Sequence, residues 1–145
     1  MIKKNLRRII KIVVGSVFIV SCFLSFSEEK KLISQQDEEK IISKLIKTIA
    51  ESNLKFIRNG STYNAKEAAK HLQLKLNLAS KNKFNGQITV CEFIKNVATK
   101  SSLSGLPYQI EVEAGKKILL QTWLIENLKK QDMALAERCT ENSID

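Results

Sequence analysis

Leu54-Lys55-Phe56-Ile57-Arg58-Asn59-Gly60-Ser61-Thr62-Tyr63-Asn64-Ala65-Lys66-Glu67 changes its period halfway along. Phe56 and Arg58 alternate with Ile57, and Thr62 and Tyr63 are good strand formers beyond Asn59-Gly60. Asn-Gly is the strongest two-residue hairpin turn, because both residues tolerate φ > 0, so this part reads as a short hairpin. Asn64 then stands three residues before Glu67 in the pattern of a capping box. Ala65, Ala68, Ala69, Leu72 and Leu76 follow at helical spacing. A hairpin feeding directly into an amphipathic helix predicts an α+β domain with an antiparallel sheet.

The flanks extend this pattern. Upstream, Ser34 caps a helix with Asp37 three residues on, and Ile41, Ile42, Leu45, Ile46 and Ile49 give it one apolar face ending near Ser52-Asn53. Downstream, Asn77 to Gln87 reads as a polar loop, and Thr89 with Glu92 forms a third capping box. Phe93, Ile94, Val97 and Ala98 make the next helix, which the turn-rich Ser101 to Pro107 stops. Tyr108 to Val112 alternates as a strand, Gly115 turns the chain, and Ile118 to Leu120 returns before a last helix opened by Trp123, Leu124 and Leu128. The expectation is one small domain over 37–136 with about four helices, a linker over 28–36 and a polar tail over 137–145. Its expected core is Ile41, Leu45, Ile49, Phe56, Leu72, Phe93, Val97, Ile110, Trp123 and Leu124. No internal repeat is visible.

The chain has 145 residues and a net charge of +9, which would raise nucleic acid or an anionic membrane as partner. The charge is unevenly placed. Lys3, Lys4, Arg7, Arg8 and Lys11 precede the first acidic residue, Glu28; 24 basic residues less these five leaves 19 against 15 acidic ones, a surplus of only +4. Nucleic acid is therefore not an expected partner. The basic start is followed by an uncharged apolar run, Ile12 to Phe26, the order read by the secretion machinery, so residues 1–27 are expected to be a signal segment. As a helix that run rises about 22 Å against a hydrocarbon core of about 30 Å, which disfavours a spanning helix. Two cleavage sites compete. Ile19-Val20-Ser21-Cys22 resembles the lipobox of bacterial lipoproteins, with cleavage before a lipidated Cys22; Ser25-Phe26-Ser27 has the small residues that a soluble-protein signal peptidase needs. An uncleaved N-terminal anchor is the third alternative. Each places the domain outside the cytoplasm, in the periplasm or cell envelope, and two of the three hold it on the membrane.

Export bears on the cysteines. Cys22 is lipidated, removed or left in an apolar anchor, and Cys91 and Cys139 remain in a compartment that permits disulfides. A bridge between them and a pair of free thiols are both compatible with the sequence. No cysteine pairs have zinc-site spacing, and one histidine cannot complete such a cluster, so no metal and no cofactor are expected.

Tyr63, Glu67 and His71 are spaced i, i+4, i+8 and form one stripe if the helix starts early enough; Lys75 extends it and Arg58 lies across the Asn-Gly turn. Glu67 beside His71 would raise the imidazole pKa, as a general base or a polar latch requires. The plainer reading makes Glu67 a capping residue and His71 a boundary histidine. Ser101, Ser102 and Ser104 with Gly105 suggest a nucleophile loop, but a serine nucleophile needs an oriented base, and no G-x-S-x-G elbow surrounds them. Their plainer role is to bond backbone groups at the end of a helix.

Several of these residues belong together in another way. Phe56-Ile57-Arg58-Asn59-Gly60, Tyr63, Ala65, Glu67-Ala68-Ala69, His71-Leu72 and Lys75-Leu76, then Phe93-Ile94, Val97-Ala98, Ser101-Ser102, Ser104-Gly105, Pro107-Tyr108 and Trp123-Leu124 resemble a family of small exported bacterial proteins known only as a domain of unknown function. The resemblance runs from about Leu45 to Lys130. It implies a secretion signal but supplies no activity and no cofactor, and Cys91 stands where a small alanine-like residue is more usual, so it implies no disulfide. Two functions remain. One is a non-enzymatic envelope module that binds an unidentified envelope protein or stabilises an assembly at the membrane. The other is a small hydrolase or transferase using His71 with Glu67 and a serine of Ser101–Ser104.

Overall fold

The structure, a computed structural model, describes residues 33–113 and 115–141. The signal segment, Cys22 and most of the linker lie outside the described residues. Helix α1, Gln35–Glu51, begins where Ser34 Oγ accepts from the Asp37 backbone N–H, and it buries Ile42, Leu45, Ile46 and Ile49. Ile41, expected in the core, lies half-buried at the margin of that stripe.

Strands β1, Lys55–Arg58, and β2, Ser61–Tyr63, close through Asn59 and Gly60, whose φ of 52° and 79° both fall in the left-handed region. A two-residue turn with both φ positive matches the twist of a hairpin. β1 also pairs with β3, Gln109–Glu113, which pairs with β4, Lys116–Leu119. The sheet order is β2-β1-β3-β4 and every pairing is antiparallel. Phe56 lies opposite both Tyr63 and Ile110, and Ile110 opposite Ile118, so one row of side chains joins the core.

Helix α2, Ala65–Lys81, starts at the expected capping box: Asn64 Oδ1 accepts from the Glu67 N–H while Glu67 Oε2 accepts from the Asn64 N–H. It does not stop at Asn77. Leu76 and Ala79 continue the Leu72 stripe against the core, so the expected loop is helical through Lys81.

Helix α3, Val90–Glu92, opens at Thr89, whose capping box with Glu92 is complete, and then widens into a π turn, Phe93–Val97. A π turn strains the backbone ladder. Here side chains occupy its carbonyls: Thr99 Oγ–H donates to Ile94 and Lys95, and Lys75 Nζ donates to Val97 O at 2.7 Å. Phe93, Ile94 and Val97 are thereby all buried. The first turn of α3 is fastened three ways. The Val90 N–H donates to Glu38 Oε2 of α1 at 2.6 Å, Cys91 bonds to Cys139, and Glu92 pairs with Lys83 at 2.6 Å.

Helix α4, Leu120–Lys129, buries Leu120, Leu124, Ile125 and Leu128, which leaves Trp123 half-buried beside the core rather than within it. Helix α5, Met133–Glu141, replaces the expected polar tail from residue 137. Asp132 Oδ1 accepts from the Leu135 N–H at its start, and Leu135, Ala136 and Cys139 are buried. The disulfide has a Cα–Cα distance of 4.9 Å across a separation of 48 residues. The fold is thus α+β, with five helices among the described residues and one four-stranded sheet. Helix begins at Gln35, inside the expected linker, and continues to Glu141, beyond 136.

Candidate functional site

The hairpin and the first half of α2 enclose a cleft of about 270 Å³. Phe56, Ile57, Leu72 and Leu120 give it apolar walls, Leu74 stands exposed at its rim, and Arg58, Tyr63, Glu67, His71 and Tyr108 supply the polar groups. Arg58, Tyr63, Glu67 and His71, the four residues marked in the sequence, therefore share one cavity. They do so by two routes. Tyr63 ends β2 rather than beginning the helix, so the helical stripe is Glu67, His71 and Lys75, and strand pairing brings Tyr63 beside Arg58.

His71 does not bond Glu67. The Glu67 carboxylate is held by the Asn64 N–H, and His71 turns to Arg58 and Tyr108. Arg58 Nη1 lies 2.8 Å from His71 Nδ1 and 3.0 Å from Nε2, and Nε2 lies 3.0 Å from Tyr108 Oη. A guanidinium can only donate, so the ring must offer a lone pair. The tautomer that satisfies every group has Nδ1 accepting from Arg58 and Nε2–H donating to Tyr108. Burial holds the His71 pKa below its ordinary 6.5, and the cations Arg58 and Lys75 lower it further. The expected upward shift from Glu67 is thus reversed in sign, because the ring is buried, two cations stand beside it and the carboxylate serves the helix cap.

Tyr108 meets His71 edge-on, with ring centroids 5.9 Å apart at 79°, and burial raises its hydroxyl pKa although Arg58 pulls the other way. The Lys75 ammonium lies 5.0 Å from the Tyr108 ring centroid and donates to the carbonyls of Val97 and Lys100, each at 2.7 Å. Burial, then Arg58, lowers its pKa. The Arg58 guanidinium lies 5.1 Å from the Tyr63 ring centroid, and its Nε is buried without a hydrogen-bond partner. Among the described residues no carboxylate pairs with Arg58, His71 or Lys75. The sequence marks Tyr108 as the start of a strand and as part of the family pattern but not as a site residue, and the structure places it just before β3. The available signal was its parity with Ile110, which turns both side chains toward the helices.

The serine loop lies elsewhere. Ser101, Ser102 and Ser104 do not line the cleft; Ser104 Oγ–H donates to Asn59 Oδ1 at 2.6 Å, and the Ser101 backbone bonds Leu106 and Gly105. His71 has Arg58 and Tyr108 as partners where the hydrolase reading needs a serine. Among the described residues no group of three or more His, Cys, Asp or Glu is placed to hold a metal ion, and no helix is long and apolar enough to cross a membrane.

Comparison with known proteins adds kinship without activity. DUF5329, described as a family of unknown function, matches residues 36–132. A relative from Salmonella typhimurium, the uncharacterized protein YfeK, is 40% identical over 72 residues, covering 49% of this chain and 57% of the relative. The chain thus matches a little over half the length of that relative. No solved structure matches.

Proposed function

We propose, for a chain that belongs to the DUF5329 family of unknown function, that it is an exported envelope protein that acts by binding, with the Arg58–His71–Tyr108 cleft as its binding site and Cys22 as its lipid anchor. The observation that carries the binding reading is the closed His71 network. Both ring nitrogens are engaged by Arg58 and Tyr108, the ring is held neutral among cations, and no hydroxyl nucleophile from the serine loop accompanies it. A general base needs a free lone pair within reach of the proton it removes. This arrangement fixes side chains around an apolar cavity, as a ligand pocket does. Export rests on the basic start and apolar run of residues 1–27, and the Cys91–Cys139 pairing supports it, since disulfides persist in oxidising compartments.

The test is a photoreactive amino acid placed at Leu74, at the cleft rim, and in parallel at Lys47, exposed on α1, in the intact chain in its own membranes. A discrete adduct at Leu74 that is absent at Lys47, and lost with Arg58→Lys, is the expected result. The same diffuse labelling at both positions would remove the cleft from the function.

A further inference from the structure

We infer, resting on the binding reading of the cleft, that its ligand is a monocarboxylate carried on a compact apolar body, with the carboxylate on Arg58 and the apolar body against Phe56, Leu72 and Leu74. The charge balance points first to an anion. The cleft and its border hold Arg58, Lys70 and Lys75 against the single carboxylate of Glu67, which is already committed to the Asn64 N–H. A partly desolvated cation without a counter-ion costs free energy that an arriving anion recovers.

The donor geometry narrows the anion. Among the described residues Arg58 donates hydrogen bonds only through Nη1, to His71, while the Tyr63 ring holds the guanidinium from another side. Its Nε is buried without a partner, so the N–H groups left for a ligand are those of the second Nη and the free side of Nη1, the end-on edge of the fork. Such an edge matches the two oxygens of a planar carboxylate. A phosphate dianion fits less well. It would meet the Glu67 charge at the same cleft, and at the nearby start of α2 the capping box already takes the Asn64 and Glu67 N–H groups.

The size narrows the body. A cavity of about 270 Å³ lies just below the roughly 300 Å³ at which pockets for larger organic ligands begin. It admits one bulky apolar side chain or a short acyl group, and excludes a nucleotide or an oligosaccharide. An N-acylated apolar amino acid and the last residue of a peptide share this chemistry.

Calorimetric titration of the full chain in detergent tests it with N-acetylphenylalanine, its carboxamide, N-acetylglycine and the peptide Ala-Ala-Ala-Phe bearing a free C-terminus. N-acetylphenylalanine should bind, with the carboxamide and N-acetylglycine each weaker by about tenfold or more, the scale of one lost charge-assisted contact or one lost apolar side chain. Tighter binding of the peptide than of N-acetylphenylalanine assigns the source to a chain terminus, and weaker binding assigns it to a free acid. Arg58→Lys should cost about tenfold through loss of the fork, and so should Leu74→Glu, a change at a side chain 56% exposed where folding is unaffected. Equal binding of acid and carboxamide, no binding by any of these carboxylates, or unchanged affinity in both variants overturns the assignment. If the Leu74 crosslink persists in that event, the cleft still binds and only the carboxylate falls.

Discussion

The imidazole of His71 is neutral because burial, then Arg58, then Lys75, oppose a second proton. The sign of its contribution follows. Its folded-state pKa is below the unfolded 6.5, so below 6.5 the unfolded chain binds more protons and stability falls, levelling off beneath the lowered folded value. Stability from this group is complete above 6.5. Chemical denaturation should therefore show a lower midpoint just above pH 5 than at pH 7.5, and His71→Gln should remove the difference. Glu92 does not confuse the reading. Burial alone would raise its pKa, but hydrogen bonds from Lys83 and Thr89 outweigh that and hold it below 4.5, so its loss comes at lower pH. As the chain's single histidine, His71 can also be followed directly by NMR, and a midpoint at or above 6.5 would contradict the neutral network. The i, i+4 spacing of Glu67 and His71 was visible in the sequence, yet it gave the wrong partner. Spacing shows which side chains can meet, but here a backbone donor at Asn64 reached the carboxylate first.

The elements divide into those set locally and those set by packing. The Asn59-Gly60 turn and the caps at Ser34, Asn64 and Thr89 each depend on a few adjacent residues, and all four stand where the sequence placed them. The end of α2, the π turn and α5 depend on neighbours distant in sequence, so local signals missed them. Asp132 is the one local mark of α5, and alone it does not show a helix through the expected tail, which is set by the packing of Leu135, Ala136 and Cys139 and by the bond to Cys91. The π turn has a testable dependence on α2. Lys75 holds the carbonyls of Val97 and Lys100 together, and removing the ammonium leaves two acceptors short of a donor. Lys75→Met should lower unfolding free energy by about 1–2 kcal/mol, while Lys66→Met on the exposed side of the same helix should stay within about 0.5 kcal/mol. Equal effects in urea denaturation would mean that the π turn stands without Lys75.

For the whole molecule, the three cysteines allow one measurement to address anchor and framework together. Intact mass of the chain purified from its own membranes, after alkylation without reductant, should show diacylglycerol-derived mass at Cys22 and no alkylation at Cys91 or Cys139. Reduction should then expose two alkylatable thiols and lower stability by about 4 kcal/mol in the chain-entropy account of a 48-residue separation. A mature species beginning at Glu28 without acyl chains would sink the anchor and leave the disulfide untouched. The placement of that bond also shapes how the fold yields. Residues 90, 91 and 92 tie α3 to α1, to α5 and to Lys83 just beyond α2 by a hydrogen bond, a covalent bond and an ion pair. The cleft lies at the other end of α2, where the polar links to Arg58 of the hairpin and to Tyr108 before β3 pass through one histidine ring. The protein therefore resembles a hand vice: a heel pinned three ways, and jaws set to one gauge by a single bolt, the His71 ring.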